Sequence, residues 1–293
     1  SRQASLLGRR EVLTGKGKFG IFGDGKEVAQ LAMARVFRNG DWRSGYYRDQ
    51  TFMFAAGLMR IEEIFAQIYG DTDATFNPMN AGRLMGNHFS TRNQDENGKW
   101  LNLMEQKNSS ADISPTAGQM PRLLGLALTS KLIRTNPELA HLSSLSSDGN
   151  EVAFGTIGDA STSEGHFWET INAAGVLQVP MAVSVWDDGF GISVPNHLQT
   201  TKSSISEVLK GFEKTHDKEG FLIYTAKGWD YAALCSMYEE GIAICREKHI
   251  PVLFHITEVT QPLGHSTSGS HERYKTPERL AWEKEFDCIR QMR

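Results

Sequence analysis

The clearest pattern of apolar and polar positions in the chain lies between residues 152 and 195. Residues 152–157 form a short apolar run rich in β-branched side chains, which predicts a buried strand. A turn follows, and residues 163–177 then place their apolar side chains at helical spacing. After Pro180, residues 181–186 are a second apolar run of strand length. The stretch therefore predicts a β-α-β unit with parallel strands and a right-handed crossover.

Further elements are predicted on both sides of this unit. Helices are expected at residues 6–12, 27–37, 52–69, 117–134, 202–214, 229–248 and 276–293, and strands at residues 221–225 and 251–258. Residues 71–112 have no sustained period and are rich in Asn, Gly, Asp and Met, so we expect irregular loops of the kind that carry function. The pattern predicts an α/β fold in one domain, residues 1–293, with a mainly parallel sheet and helices on both faces.

The composition narrows the class of protein. The chain has 293 residues, 40% hydrophobic and 23% charged, which is ordinary for a globular protein with a sizeable core. A formal net charge of −4 and the lack of a long apolar run give no indication of nucleic-acid or membrane binding. The three cysteines have no zinc spacing and are odd in number, which favours a reducing compartment. The first residues lack the apolar core of a secretory signal, so we do not expect secretion.

Acidic side chains follow both strands of the β-α-β unit. Asp159 comes directly after the first strand, and Asp187 and Asp188 come after the second. Ligands of open α/β sheets bind at the carboxyl ends of the strands. A helix N-terminus there attracts phosphate, but a carboxylate repels phosphate unless a divalent cation lies between them. Asp159 and Asp188 are therefore candidate Mg²⁺ ligands. The alternative is that Asp159 caps a helix and that the two later aspartates form a polar turn.

These residues resemble the thiamine diphosphate motif of 2-oxo acid dehydrogenase E1 α subunits. That motif is a Gly-Asp-Gly turn, a helix, and an Asn-Asn pair followed by an Ile-Ser-x-Pro-like tail. The segments that align with it in order are Gly158-Asp159-Ala160, Ser163-Glu164-Gly165 and Ile192-Ser193-Val194-Pro195. Two features differ from the motif. Ala160 replaces the second glycine, and Asp187-Asp188 replaces Asn-Asn, which adds negative charge beside the diphosphate.

Two earlier segments also resemble the family. Gly25-Lys26-Glu27-Val28 is similar to a Gly-Gln-Glu-Ala segment that opens the family's first helix. Tyr47 and Arg48 lie in a segment whose tyrosine and arginine hold the cofactor diphosphate in the family. Physically, Arg48 would supply a fixed cation with a planar donor fork that matches phosphate. The alternative is a surface arginine paired with Asp49.

Four further positions are candidates through the same resemblance. His88 ends a glycine-rich stretch near the family's active-site mouth, where it would position substrate, although it could equally be a solvated loop histidine. Ser114 would donate a hydrogen bond to the aminopyrimidine, or else cap a helix, and Thr116 stands where the family carries a bulkier apolar wedge. His265 lies in a Gly-His-Ser-x-Ser pattern and is the best proton-handling candidate, since histidine titrates near neutral pH. Residues 261–275 would form a mobile loop ordered by the cofactor.

The resemblance covers residues 18–274 and implies the α subunit, or α half, of an E1 component. The implied cofactors are thiamine diphosphate and Mg²⁺. Implied cofactor-binding residues are Tyr47, Arg48, Ser114, Thr116, Gly158, Asp159, Ala160, Ser161, Asp188, Ile192 and His265. Implied metal ligands are Asp159, Asp188 and the backbone carbonyl of Phe190, and the implied catalytic residues are His265 and His88.

The resemblance also implies an activity and partners. The activity is oxidative decarboxylation of pyruvate or a branched-chain 2-oxo acid, with acyl transfer to a lipoyl-bearing E2. An E1 β subunit or β half, in a heterotetramer, would supply the glutamate that activates the aminopyrimidine, so this chain alone should be inactive. We expect an apolar docking face around residues 170–176. The expected compartment is the bacterial cytoplasm or the mitochondrial matrix.

Three alternative functions remain open from the residues. One is an acetoin dehydrogenase-type thiamine enzyme, which shares every motif named here. Another is a magnesium-dependent phosphotransferase or phosphohydrolase that uses Asp159 as nucleophile. The third is a non-catalytic homologue that binds partners. A P-loop at Gly20 and Gly25-Lys26 is rejected, because Glu27 replaces the magnesium-binding Ser/Thr and no clear strand precedes the loop.

Overall fold

The computed structural model describes residues 1–293. Its helices, in chain order, are α1 Arg2–Leu13, α2 Glu27–Val36, α3 Gln50–Ala55, α4 Ile61–Tyr69, α5 Gln119–Thr135, α6 Gly165–Leu177, α7 Ile205–Val208, α8 Tyr231–Lys248, α9 Pro277–Glu285 and α10 Cys288–Gln291. Its strands are β1 Trp42–Ser44, β2 Asn108–Ser109, β3 Ala153–Gly158, β4 Met181–Trp186, β5 Phe190–Gly191, β6 Val194–Pro195, β7 Leu222–Lys227 and β8 Val252–Thr257. Short 3₁₀ turns lie at Pro137–Leu139, Ala160–Ser163, Asn196–Leu198, Thr201–Ser203, Leu209–Phe212 and His271–Arg273. None of the helices has both the length and the apolar character needed to span a membrane.

Six strands form one sheet in the order β2-β1-β3-β4-β8-β7, and every neighbouring pair is parallel. The predicted β-α-β unit is confirmed as β3-α6-β4, with β3 and β4 paired from Ala153↔Met181 to Gly158↔Trp186. The other two strands, β5 and β6, form a small antiparallel hairpin just after β4. The prediction of an α/β fold with a mainly parallel sheet is therefore confirmed.

Helices cover both faces of the sheet because successive side chains of each strand point to opposite sides. Phe154 of β3 packs in one apolar cluster with α2, α3 and α8, whereas Ile157 of β3 packs in a second cluster with α5 and α6. The two clusters include every apolar side chain of β3 and β4. Because both faces are buried, the sequences of these strands are nearly continuous apolar runs and do not alternate between apolar and polar residues.

Three predicted helices are shorter or divided. The prediction of one helix at residues 52–69 is wrong, because α3 ends before Gly57 and α4 begins at Ile61. Gly57 has a left-handed backbone (φ +76°), and the N–H of Leu58 bonds back to the carbonyl of Met53 at 2.9 Å, which closes the helix. Residues 202–214 hold only one α-helical turn between two 3₁₀ turns, and residues 276–293 form two helices, α9 and α10.

The sheet contains two strands that the sequence pattern did not predict. β1 and β2 are three and two residues long, and polar side chains occupy most of their positions. Arg43, Ser44, Asn108 and Ser109 are all buried there. The irregular character of residues 71–112 is otherwise confirmed, since β2 is the only regular element between α4 and α5.

The predicted apolar docking face at residues 170–176 is largely absent. Thr170, Ile171 and Ala174 are buried within the chain itself, in the cluster that α6 forms with α5 and the sheet. Only Val176, which is 75% exposed, offers a large apolar side chain to solvent in this stretch.

Candidate active site

A cleft lies at the carboxyl ends of the central strands, where chain segments diverge into turns. Asp159 follows β3, Asp188 follows β4, the turn with Arg48 follows β1, and Gln261 lies a few residues beyond β8. Backbone hydrogen bonds hold two of these turns at the sheet edge. The N–H of Asp159 donates to Trp186 O at 3.1 Å, and the N–H of Asp187 donates to Ile256 O at 2.9 Å. The acidic turns therefore meet where ligands of open α/β sheets bind.

The cleft encloses a cavity of about 320 Å³, within the range of small-molecule sites. Its walls contain most of the residues singled out from the sequence, namely Tyr47, Arg48, Thr116, Gly158, Asp159, Ala160, Ser161, Asp188, Phe190, Ile192 and His265. Two others, His88 and Ser114, lie outside its lining. Four lining residues were not predicted from the sequence: Tyr46, Trp186, Gly191 and Gln261.

Asp159 presents a carboxylate oxygen that no group of the chain satisfies. Its side chain is 6% exposed, and Oδ2 is buried without a hydrogen-bond partner. Burial raises the pKa of this carboxyl well above its usual value, and the nearby charges of Asp188 and Asp187 raise it further. A divalent cation at Oδ2 would satisfy the oxygen and favour the ionised form of the carboxyl.

Asp188 is held from several directions. Its Oδ1 accepts from the N–H of Phe190 at 3.2 Å, and its Oδ2 lies 3.4 Å from Nζ of Lys26. The side-chain amide of Gln261, oriented with its nitrogen towards Asp188, donates to Oδ2 at 3.1 Å. Burial is the main influence on Lys26 and lowers its pKa, whereas the charge of Asp188 acts to raise it.

The residues present fit an oxygen-coordinated divalent cation. No three His, Cys, Asp or Glu side chains converge anywhere in the structure, which excludes a site made of side-chain ligands alone. Asp159 and Asp188 supply two carboxylates to one cavity, and Mg²⁺ in such sites takes its other ligands from backbone oxygen, water and phosphate. Phe190 lines the same cavity.

Arg48 supplies positive charge to the same cavity. It is buried, and its two terminal nitrogens donate to the carbonyl oxygens of Phe22 at 2.7 Å and His265 at 3.0 Å. The alternative of a surface arginine paired with Asp49 is excluded, because the carboxylate of Asp49 pairs with Arg43 instead. Its fixed guanidinium is suited to an anion such as a diphosphate.

His88 and Ser114 contact each other rather than lying independently near the site. Ser114 Oγ is 3.1 Å from His88 Nε2, and Tyr47 lies beside the histidine with ring centroids 6.5 Å apart. His88 is 1% exposed, so the alternative of a solvated loop histidine is excluded. Ser114 does not cap a helix, since α5 begins later, at Gln119.

His265 and Ile192 both line the cavity. Burial, with the nearby cation of Arg48, lowers the pKa of His265 to about 4, so its ring is neutral at pH 7. This corrects the expectation that it titrates near neutrality. Ile192 has a left-handed backbone (φ +60°), which is costly for a β-branched residue and is found mainly where function requires it.

Lys26 is the charged neighbour of the site that sequence reasoning missed. In the sequence it belongs to two candidate patterns, the rejected P-loop and the segment that resembles Gly-Gln-Glu-Ala. The structure also argues against the P-loop, because no strand precedes α2. The only sequence signal was its place in the Gly-Gln-Glu-Ala-like segment, where lysine replaces glutamine.

A parallel sheet with two acidic turns and a buried arginine at one cleft is consistent with the thiamine diphosphate-binding class of α/β folds. Residues 9–293 match the family described as "Dehydrogenase E1 component", so the chain belongs to the dehydrogenase E1 component family, whose members depend on thiamine diphosphate.

The curated relatives are α subunits. The pyruvate dehydrogenase E1 component subunit alpha of Acholeplasma laidlawii is 27% identical over 185 residues, 63% of this chain and 41% of that protein. The 2-oxoisovalerate dehydrogenase subunit alpha of Bacillus subtilis is 26% identical over 201 residues, 68% of this chain and 51% of that protein. The mitochondrial 2-oxoisovalerate dehydrogenase subunit alpha of Homo sapiens is 23% identical over 271 residues, 92% of this chain and 52% of that protein. The chain spans about half the length of the curated relatives it matches.

Proposed function

We propose that this chain is the α part of a 2-oxo acid dehydrogenase E1 and binds the Mg²⁺-diphosphate end of thiamine diphosphate. The observation that carries the proposal is the unpartnered Oδ2 of Asp159, which lies in a cavity that Asp188 and Arg48 also line. A metal-bound diphosphate supplies both the cation that this oxygen lacks and the anion that Arg48 can bind.

The metal would be held by Asp159, Asp188 and the backbone carbonyl of Phe190, and the diphosphate by Arg48 and Tyr47. Backbone N–H groups at the start of the 3₁₀ turn Ala160–Ser163 would add donors for the same phosphate oxygens. Bound there, thiamine diphosphate supplies the electron sink for decarboxylation of a 2-oxo acid.

The other end of the site would be shaped by Thr116, Ile192 and the Ser114–His88 pair. His265, neutral at pH 7, would act as a hydrogen-bonding partner during acyl transfer and not as a standing cation. The low pKa follows from its burial, so the same environment that excludes water also selects the uncharged ring.

The substrate class that we propose is pyruvate or a branched-chain 2-oxo acid, as the names of the relatives suggest. The partners would be an E1 β subunit, in a heterotetramer, and a lipoyl-bearing E2. The compartment would be the bacterial cytoplasm or the mitochondrial matrix, in line with the bacterial and mitochondrial relatives. We expect no decarboxylation by this chain in the absence of β.

The test is calorimetric titration of thiamine diphosphate into the α–β complex, with and without Mg²⁺. The expected result is binding that needs Mg²⁺ and is lost in Asp159→Ala. The control is Asp217→Asn, which removes an exposed carboxylate far along the chain from either acidic turn and should bind normally. An assembled wild-type complex that does not bind the cofactor contradicts the proposal.

A further inference from the structure

Lys26 lies outside the cavity lining and pairs with Asp188, one of the two aspartates, Asp159 and Asp188, that line the cleft. Nζ of Lys26 is 3.4 Å from Oδ2 of Asp188, although the two residues are 162 positions apart in the chain. Lys26 is 1% exposed, and Asp188 is the only carboxylate within 4.0 Å of its ammonium group. A charge buried this deeply requires a partner, and Asp188 is that partner.

The two members of the pair face different surroundings. Asp188 lines the cavity, whereas Lys26 does not, so Lys26 reaches the site only through the carboxylate. On the cavity side, Arg48 is linked to the same carboxylate through Gln261, whose amide oxygen accepts from Nη1 of Arg48 at 3.0 Å. Lys26 therefore acts on charge in the site without occupying space that a ligand needs.

The pair has a net charge of zero wherever its proton lies, on the ammonium group or on the carboxyl. An asparagine at position 188, as in the motif that this stretch resembles, would also be neutral. Asp188 alone would add one negative charge beside a bound diphosphate, and at distances of a few ångströms such a charge weakens anion binding strongly. The lysine removes this penalty while leaving a carboxylate in the cavity.

We propose that Lys26 and Asp188 act as one neutral unit, in which Lys26 is a positioning residue that lets a carboxylate replace an amide in the metal-diphosphate site. The inference rests on the proposed function, because it concerns how the same site tolerates its own acidity. It assigns Lys26 a role in setting the preference of the site for metal and for diphosphate.

The two halves of the pair should have opposite effects when each is removed alone. Lys26→Gln leaves an uncompensated carboxylate, which attracts a bare cation and repels diphosphate. Asp188→Asn leaves a buried ammonium group beside the cavity, which repels a bare cation. A residue that only supported the fold would weaken both kinds of binding together, so the opposite signs identify an electrostatic role.

The neighbouring aspartate provides a matched control. Asp187 accepts a hydrogen bond from Nε2 of His255 at 2.8 Å, and Nδ1 of the same ring accepts from the hydroxyl of Ser206 at 2.9 Å. Asp187 thus has its own partner and no contact with Lys26. Asp187→Asn makes the same change of charge one residue away from Asp188 without touching the pair.

The experiment measures two kinds of binding to the α–β complex by calorimetry: Mn²⁺ alone, and thiamine diphosphate in the presence of Mg²⁺. We expect Lys26→Gln to bind the cofactor about tenfold or more weakly and to bind Mn²⁺ more tightly, whereas Asp188→Asn binds Mn²⁺ more weakly. The double variant Lys26→Gln/Asp188→Asn should return both affinities to within about threefold of wild type. Lys26→Gln/Asp187→Asn should recover clearly less.

The inference is overturned if the double variant binds the cofactor no better than Lys26→Gln, or if Asp187→Asn rescues as well as Asp188→Asn does. Thermal unfolding of the four cofactor-free chains separates this failure from failure of the proposed function. Each single variant should unfold at a lower temperature than wild type, and the double variant should recover most of the difference. If the changes in unfolding temperature are coupled but the wild-type complex does not bind cofactor, the proposed function is refuted and the interaction of Lys26 with Asp188 stands. If the changes of the two single variants simply add in the double variant, the interaction is refuted.

Discussion

Ser114 Oγ lies 3.1 Å from Nε2 of His88, although 26 positions of sequence separate the two residues. The other ring nitrogen, Nδ1, is 3.4 Å from the carbonyl oxygen of Gly86, which can only accept. Nδ1 therefore carries the proton, and Nε2 accepts from the serine hydroxyl. The hydroxyl proton of Ser114 is therefore directed to His88 in this structure.

This hydrogen bond predicts coupled effects. Ser114→Ala should lower the free energy of unfolding by about 1–2 kcal/mol, because it leaves Nε2 of the buried His88 unpaired. His88→Gln, which removes the buried ring itself, should also lower it. The double variant should lose clearly less than the sum of the two, since the second substitution has no bond left to break. Urea unfolding of wild type and the three variants provides the measurement. Strictly additive losses would show that the two side chains do not interact.

A second prediction concerns the buried charge in β1. Arg43 bonds to Asp49 through Nε at 2.8 Å and to Asp112 through Nη1 at 3.0 Å, and all three side chains are fully buried. Arg43→Lys should lower the free energy of unfolding by about 3 kcal/mol, because lysine lacks the planar fork whose separate nitrogens bond to the two carboxylates. The control is Arg35→Lys in the exposed pair with Glu239, which should change it by less than about 0.5 kcal/mol. Equal losses in the two variants would contradict the assignment.

Arg43 also shows why part of the sheet could not be predicted from the sequence. A fully buried strand is recognised by a run of apolar residues, and β3 and β4 present such runs on both faces. β1 has an arginine at its centre, and β2 is Asn108–Ser109, so both resemble loops. Their polar groups are satisfied by partners from distant segments, such as Asp112 for Arg43. The local sequence pattern does not indicate those partners.

Some residues of the candidate site could likewise be predicted from the sequence, and others could not. Asp159 and Asp188 could be predicted because each follows a recognisable strand, and parallel strands bring their carboxyl ends together. Lys26 could not, since nothing near it in sequence indicates that Asp188 will be its partner. The low pKa of His265 depends on burial by the surrounding fold, which likewise cannot be obtained from the Gly-His-Ser pattern alone.

A third prediction follows from Asp159 in the metal-free chain, where burial and nearby carboxylates disfavour its charged form. Its pKa is raised from 3.8, so the folded chain holds a proton more tightly than the unfolded chain does, and stability falls as pH rises above 3.8. Asp159→Asn should therefore raise the free energy of unfolding at pH 7 by about 1–3 kcal/mol and lose this advantage near about pH 3. Thermal unfolding of both chains with EDTA at the two pH values checks it. A variant that is less stable than wild type at pH 7 would contradict the raised pKa.

A fourth prediction concerns Ala160, which stands where the resembling motif has glycine. Its backbone is not among the residues with positive φ, so the position does not require glycine. Ala160→Gly should lower the free energy of unfolding by about 0.4–1 kcal/mol and leave cofactor affinity within about threefold. Gly191→Ala is the informative contrast, because a new Cβ would lie 2.5 Å from the side-chain amide of Gln199 and 2.8 Å from the Ala160 methyl. The cavity wall would have to shift, so binding should weaken. Much tighter binding by Ala160→Gly would show that the methyl group obstructs the diphosphate.

The last prediction is a pH dependence of stability that arises from His249. This residue ends α8, is 6% exposed, and has a ring nitrogen 2.8 Å from the carbonyl oxygen of Gly149. Burial lowers its pKa from 6.5 to about 4. Between these values the unfolded chain binds more protons than the folded chain, so the stabilising contribution is complete above pH 6.5 and is lost as pH falls towards 4.

His249→Asn should therefore reduce the rise in unfolding free energy between pH 4 and pH 6.5, whatever it does to stability at one pH. Asparagine is the suitable replacement because the position has a left-handed backbone (φ +56°) that asparagine tolerates. His216→Asn serves as the control, since His216 is 97% exposed and should leave the slope unchanged. Urea unfolding at several pH values gives the slope for each chain. If the slope of His249→Asn equals that of wild type, His249 is protonated alike in the folded and unfolded chains, and its low pKa is refuted.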